Sequence, residues 1–316
     1  MKTDILYVVV PCYNEEQVLP ETSSRLDRIM SGLIEEGRIS SSSRVLFCDD
    51  GSKDRTWQMI EDLHKENGLF CGVKSSRNRG HQNALLMGLM TAKDLCNFTI
   101  SMDADLQDDP EVISEFITKY EEGCEIVYGV RSERTTDTAF KRNTAHAFYK
   151  IMNDLGAEVV YDHADYRLMS KRALEALSEF GEVNLFLRGM VTGIGFKTGV
   201  VKYERHERFA GESKYPMSKM LGLAINGVTS FSVKPIRIVL FGGAILSFIS
   251  FAVFLALIIV GLCGHWADPA YICTSLLFIL GGAIIASIGL IGLYAGNTML
   301  ETKHRPRYIV EKMLID

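Results

Sequence analysis

Two long stretches, residues 238–264 and 269–300, contain no Asp, Glu, Lys or Arg. This restricts the fold more than any other feature. A hydrocarbon core roughly 30 Å thick needs about 20 helical residues to cross it, and each stretch is longer. The expectation is a two-helix transmembrane hairpin (238–264 and 270–298) that follows a water-soluble domain (1–215) and precedes a tail (299–316). Between domain and hairpin, residues 216–234 place Met217, Met220, Leu221, Ala224, Val228 and Phe231 at helical spacing. A helix lying in the membrane interface, with Lys219 reaching headgroups, has this pattern, as does an ordinary core helix.

Lys234 and Arg237 precede the first stretch, Lys303, Arg305 and Arg307 follow the second, and the connecting residues 264–268 carry no Lys or Arg. By the positive-inside rule both ends are cytoplasmic. No secretory pattern precedes the strand-like Ile5-Leu6-Tyr7-Val8-Val9-Val10, which agrees. The seven cysteines include no Cys-x-x-Cys pair, so zinc and redox motifs are absent. Whether Cys263 and Cys273, flanking the outward hairpin, pair is left open. A net charge of −5 argues against nucleic acid as a partner.

Before residue 230, short apolar runs alternate with helical patterns, as in a doubly wound, mostly parallel α/β sheet. Every strand end is polar. The first ends in Pro11-Cys12-Tyr13-Asn14-Glu15-Glu16, where Pro11 is expected to stop the ladder. The second ends in Asp49-Asp50-Gly51-Ser52, with Asp54 available to cap a helix, and the third in Arg77-Asn78-Arg79-Gly80-His81-Gln82. The fourth ends in Asp103-Ala104-Asp105-Leu106-Gln107-Asp108-Asp109-Pro110. Carboxyl ends of parallel strands are where open α/β sheets bind ligands. Oxygen ligands packed this closely suit Mg²⁺ or Mn²⁺ and an accompanying diphosphate. The competing reading is a solvated acidic turn that caps the next helix.

The ordered set Tyr13-Asn14-Glu15, Asp49-Asp50-Gly51-Ser52 and Asp103-Ala104-Asp105 with Gln107 resembles the family-2 glycosyltransferases of the GT-A fold. That resemblance implies a nucleotide-sugar donor, with Pro11, Tyr13, Asn14, Glu15 and Asp50 holding the nucleoside. It also implies Asp103, Asp105 and Gln107 around the metal and diphosphate. Asp162-His163-Ala164-Asp165-Tyr166-Arg167, Arg208-Phe209-Ala210-Gly211-Glu212-Ser213-Lys214 and the segment 292–310 are similar to the polyprenyl-phosphate glycosyltransferases, in a bacterial form with two spans. Asn297 departs from that pattern, which often has Arg there. A Gln-x-x-Arg-Trp motif of processive synthases is absent, since neither Trp57 nor Trp266 follows an Arg.

The resemblance implies inverting transfer of one sugar, with UDP-glucose the favoured donor, to polyprenyl (undecaprenyl) phosphate at the cytoplasmic face of a bacterial inner membrane. It further implies a homo-oligomer, a tetramer being favoured. A phosphate monoester has its second pKa near 6 and is already nucleophilic at neutrality, so no strong base is required. Asp165, catalytic by resemblance, either orients the acceptor or takes its last proton; simple pairing with Arg167 is the alternative. Arg131, Arg208 and Lys214, with Ser213, are candidates for the diphosphate and acceptor phosphate, and Arg142 is a weaker one. A non-catalytic nucleotide-sugar-binding scaffold is the competing function.

Overall fold

The computed structural model describes residues 3–131, 163–182, 187–204 and 269–315, with isolated positions between 241 and 262. The chain divides into two compact units, one containing the sheet and the other residues 217–304.

The sheet unit begins as the alternation predicts. Strands β1 (Leu6–Cys12), β2 (Arg44–Asp49), β3 (Phe70–Ser75) and β4 (Phe98–Ser101) alternate with helices α1 (Leu19–Glu35), α2 (Thr56–Glu66) and α3 (His81–Ala92). β1 pairs in parallel with both β2 and β4, so it lies mid-sheet and is buried along its whole length. One face of the sheet, through Leu6, Val8 and Val10, shares a core with Leu19, Leu26, Met30 and Leu33 of α1. Each such side chain contributes roughly 1.5–3 kcal/mol by leaving water. On the other face α3 lies so close that a Cβ on Gly88 would collide with Val9 and Cys48.

One expectation about strands needs correction. Pro11 does not end β1, because it still pairs with Cys48, and Cys12 with Asp49. It is tolerated because the ladder to β4 has closed at Val9 and Ser101. Val9 faces β4, accepting a bond from Met102 N–H, so Pro11, two residues on, turns its missing N–H to that same vacated side. The sheet is mostly parallel, as expected, with four parallel and three antiparallel pairings among the described residues. Strand order is β7-β5-β6-β4-β1-β2-β3-β8, with β5 (Ile126–Arg131), β6 (His163–Ser170), β7 (Thr198–Tyr203) and β8 (Val310–Leu314). β6 inserts antiparallel between β4 and β5, and β8 runs antiparallel beside β3. The expected tail is therefore partly an edge strand of this sheet.

Helix α4 (Ile113–Glu121) follows the turn after β4 and α5 (Lys171–Ser178) follows β6, where Ser170 Oγ accepts Ala173 N–H at 3.1 Å. Helix α6 (Leu187–Gly193) precedes β7.

In the second unit, α7 (Pro269–Thr302) is 34 residues long, about 50 Å at 1.5 Å per residue. Among the described residues it is the helix long and apolar enough to cross a membrane, over Ile279–Thr302 with mean hydropathy 2.0. It covers the expected second span. Most of 238–264, all of 216–234, and Cys263 lie outside the described residues, and Cys273 on α7 is exposed.

Candidate active site

The carboxyl ends of β1, β2, β3 and β4 and the start of antiparallel β6 meet at one edge, so five loops far apart in sequence converge. Backbone and side-chain bonds join the first two. Asn14, held at φ +54°, donates its N–H to Ser52 Oγ at 2.9 Å and accepts Lys53 N–H at 2.9 Å on Oδ1. Glu15 N–H donates to Thr56 Oγ1, and Glu16 N–H to Asp54 Oδ2. Asp54 is not the N-cap of α2, which is Arg55, but stands one residue before it and accepts Thr56 N–H at 3.0 Å.

The second and third loops are tied through Asp50, which is 2 % exposed. Its two carboxylate oxygens accept the N–H groups of Arg79 and Gly80 at 2.8 and 2.7 Å. Gly51 has φ +67°, and a Cβ there would sit 2.7 Å from the Arg77 carbonyl carbon, so residue 51 must be glycine for this loop to approach.

The acidic turn is supported from beneath. Thr22 Oγ1 of α1 donates to Ala104 O at 2.8 Å, and Tyr166 Oη to Asp109 O at 3.0 Å. Leu106 takes φ +56°, which closes a bond from Gln107 N–H to Asp105 Oδ1 at 3.2 Å. The capping reading holds for one carboxylate only: Asp109 accepts Glu111 N–H at 3.0 Å. Asp108 turns inward, accepting Tyr203 Oη–H at 2.5 Å with Arg131 Nη2 3.6 Å away. Burial, reinforced by the charge of Asp103, pushes its carboxyl up to about 6. Arg131 is thereby tied to the acidic turn.

Asp165 stands at the centre of the described site. Its Oδ1 accepts the buried Arg167 Nη2 at 2.6 Å, and Arg188 approaches both oxygens at 3.3 Å. His81, first residue of α3, places Nε2 3.6 Å from Asp165 and 3.5 Å from Asp103 Oδ1. Burial opposes ionisation of Asp165, yet Arg188, His81 and Arg167 outweigh it and hold the carboxyl well below the usual range. Burial likewise disfavours the His81 imidazolium, but Asp103 and Asp165 outweigh it and raise its pKa to about 9. At neutral pH Asp165 is thus a carboxylate facing three cations, whereas burial raises the neighbouring Asp103 carboxyl above its usual range.

The structure thus brings Asp103, Asp105, Asp108, Arg131 and Asp165 together, and joins Asn14 and Glu15 to the Asp50 loop. Arg208, Ser213, Lys214 and Arg142 lie outside the described residues. His81 and Arg188 have no role in the sequence analysis. His81 sits in a polar strand end that could have drawn attention, whereas Arg188 belongs to no pattern and is found only through Asp165.

Asp103 Oδ1 is buried without a hydrogen-bond partner although its side chain is 38 % exposed. A partly exposed carboxylate beside Asp105, with only the His81 ring 3.5 Å from this oxygen, fits a hard cation. Among the described residues no three acidic, His or Cys side chains gather as a ready-made cage. Mg²⁺ at phosphate sites needs none, because one or two carboxylates, water and substrate phosphates complete its shell.

A profile described as Glycosyl transferase family 2 matches residues 7–178, and this span contains every carboxylate just described. The chain belongs to glycosyl transferase family 2. Its sheet has the corresponding GT-A-like α/β architecture. It is 52% identical to the uncharacterized glycosyltransferase YkoT of Bacillus subtilis (strain 168), covering 97% of this chain and 91% of that one. It is 36% identical to the prophage bactoprenol glucosyl transferase homolog of Escherichia coli (strain K12), over 97% and 98% of the two chains. Identity to the bactoprenol glucosyl transferase of Shigella phage SfV is also 36%, over 96% and 97%.

Proposed function

We propose that this glycosyltransferase moves a single sugar, glucose from UDP-glucose in the favoured form, onto polyprenyl phosphate with inversion at the anomeric carbon. The observation that carries the reading is full-length similarity to relatives named for bactoprenol glucosyl transfer. The site chemistry agrees with it. Asp103 and Asp105, with Gln107 close by, hold a divalent cation, Mg²⁺ or Mn²⁺, which when bound offsets charge on the departing nucleoside diphosphate. The loops carrying Pro11, Tyr13, Asn14, Glu15 and Asp50 form the nucleoside side of the pocket.

The acceptor phosphate supplies its own nucleophilic oxygen, so Asp165 does not act as a base. A carboxylate held far below neutrality and engaged by Arg167 and Arg188 is a poor proton acceptor. Its work is positioning: it aims Arg188 and His81 at the diphosphate side of the pocket, where preorganised cations stabilise developing charge. Arg208, Ser213 and Lys214 bind the acceptor phosphate. α7 and the apolar stretch before it anchor the enzyme as a hairpin in the bacterial inner membrane, with the catalytic domain and both termini cytoplasmic. Oligomerisation, as a tetramer, gives the spans further helix surface to pack against. The test is a panel of nucleotide sugars with undecaprenyl phosphate, read by the mass of the lipid-linked product. Glucosylated lipid from UDP-glucose is expected; nucleoside diphosphate release that ignores added lipid would sink the reading.

A further inference from the structure

The last strand of the chain lies against the loop that carries His81. β8 pairs with β3 from Gly72↔Leu314 to Lys74↔Lys312, and the register then shifts so that Ser75 meets Val310. One residue further, Ser76 N–H donates to Ile309 O at 2.9 Å. Ser76 begins the segment 76–80, whose opposite side is fixed by the Asp50 carboxylate at Arg79 and Gly80 and by Gly51 beneath Arg77. Ser75 Oγ also donates to Arg77 O at 2.9 Å, which tightens the bend. The loop is therefore gripped on both flanks, by β2 from one side and by the entry to β8 from the other.

The grip is specific to this edge. Lys74 Nζ meets Glu311 at 3.3 Å, with the lysine side chain only 19 % exposed, and Lys312 Nζ meets Glu61 of α2 at 3.3 Å. Leu314 packs on the core, 3.4 Å from where a Gly72 Cβ would stand. Without β8, β3 would be an edge strand and the Ser76 amide would have water as its partner. Segment 76–80 would then keep Asp50, Ser75 Oγ and Asn83 Nδ2, which donates to Arg79 O at 2.8 Å, but lose its outer backbone partner. His81, directly after it, would lose one of the supports that set its distance from Asp103 and Asp165.

We infer that β8 is the outer clamp of the 76–80 loop and hence a positioning element for the nucleotide-sugar site. The inference rests on the proposed donor chemistry for its functional consequence, but the clamp itself is a statement about the loop. Because the grip at Ser76 is made by a backbone carbonyl, no side-chain exchange at Ile309 removes it.

The experiment compares the full-length enzyme in lipid nanodiscs with a chain ending at Pro306, and with K74E, E311K and the double variant K74E/E311K. Amide exchange is followed over 75–81 and, as internal reference, over α1, together with UDP-glucose binding and the KM for undecaprenyl phosphate. Loss of the strand should speed exchange at 75–81 by about tenfold or more while α1 is unchanged, one lost hydrogen bond being worth roughly that factor. UDP-glucose binding should weaken in parallel, with acceptor KM unmoved. Each single charge reversal should give a smaller loss, about two- to fivefold, and the double reversal should recover it. Unchanged exchange at 75–81 in the shortened chain would overturn the inference. So would an equal rise in α1, which would make β8 a general stabiliser of the sheet, or acceptor KM rising with donor Kd. Failure of the wild-type enzyme to bind UDP-glucose counts against the donor reading alone, and the exchange pattern still decides the clamp.

Discussion

Replacing Asp165 with Asn separates the positioning role from a base role. The exchange keeps the volume and one acceptor oxygen but removes the charge that faces Arg167, Arg188 and His81. Arg167 is 1 % exposed, and breaking a buried ion pair by removing one partner's charge costs about 3–5 kcal/mol. Since Asn can still accept from Arg167 Nη2, the lower end, about 3 kcal/mol, applies. For a unit of about 200 residues each kcal/mol moves the melting temperature by about 2–4 °C, so a fall of about 6–12 °C is expected at pH 7. The sign with pH follows from the depressed carboxyl. Its stabilisation is fully present above the unfolded value of about 3.9 and is lost as pH falls toward the lower folded value. The gap between wild type and Asp165→Asn should therefore narrow below about pH 4. Thermal unfolding of the purified proteins followed by circular dichroism measures both. An Asp165→Asn enzyme that melts with the wild type at pH 7 yet has lost turnover would refute the positioning argument and restore Asp165 as a base.

Asp105→Asn should cut turnover severely with the melting temperature little changed, because it removes ligand charge and no core packing; full wild-type activity in excess chelator would remove the metal from the account. Tyr203→Phe leaves the buried Asp108 without its 2.5 Å donor and should destabilise the sheet unit by about 1–3 kcal/mol, visible as a shift of the urea midpoint with an unchanged slope. Lys214→Ala should raise the KM for undecaprenyl phosphate far more than the Kd for UDP-glucose, and equal losses would move that loop to the donor side.

What was legible in the sequence follows from the range of the interactions. The acidic turn could be placed because its signals are local: an apolar strand before it, Pro110-Glu111 after it, and carboxylates too dense for a core. The strand ends at Asn14 and Asp50 could be read in the same way. β6 could not, since its insertion between β4 and β5 depends on pairing Ser101 with Arg167 and Tyr128 with Arg167, contacts no short window contains. β8 was hidden because Val310-Glu311-Lys312-Met313-Leu314 is short and charged, and becomes a strand only where Lys74 and Glu61 offer partners. Arg188, on α6, escaped for the same reason, as its role comes from a carboxylate on β6.

Under the proposed function, the arrangement around Asp165 suits positioning better than proton removal. On that proposal an acceptor that is already an anion approaches a donor that carries two phosphates, so the first obstacle is repulsion between substrates rather than removal of a proton. Cations placed loosely would be screened and would cost entropy to order at each turnover. Here Asp165 and Asp103 lie within 3.6 Å of the His81 ring, and Asp165 holds Arg188 at 3.3 Å, before any substrate arrives. Those two carboxylates keep His81 protonated at neutral pH while leaving Arg188 one third exposed on its side chain. A carboxylate used in this way is worth more ionised than protonated, and three surrounding cations hold it in that state.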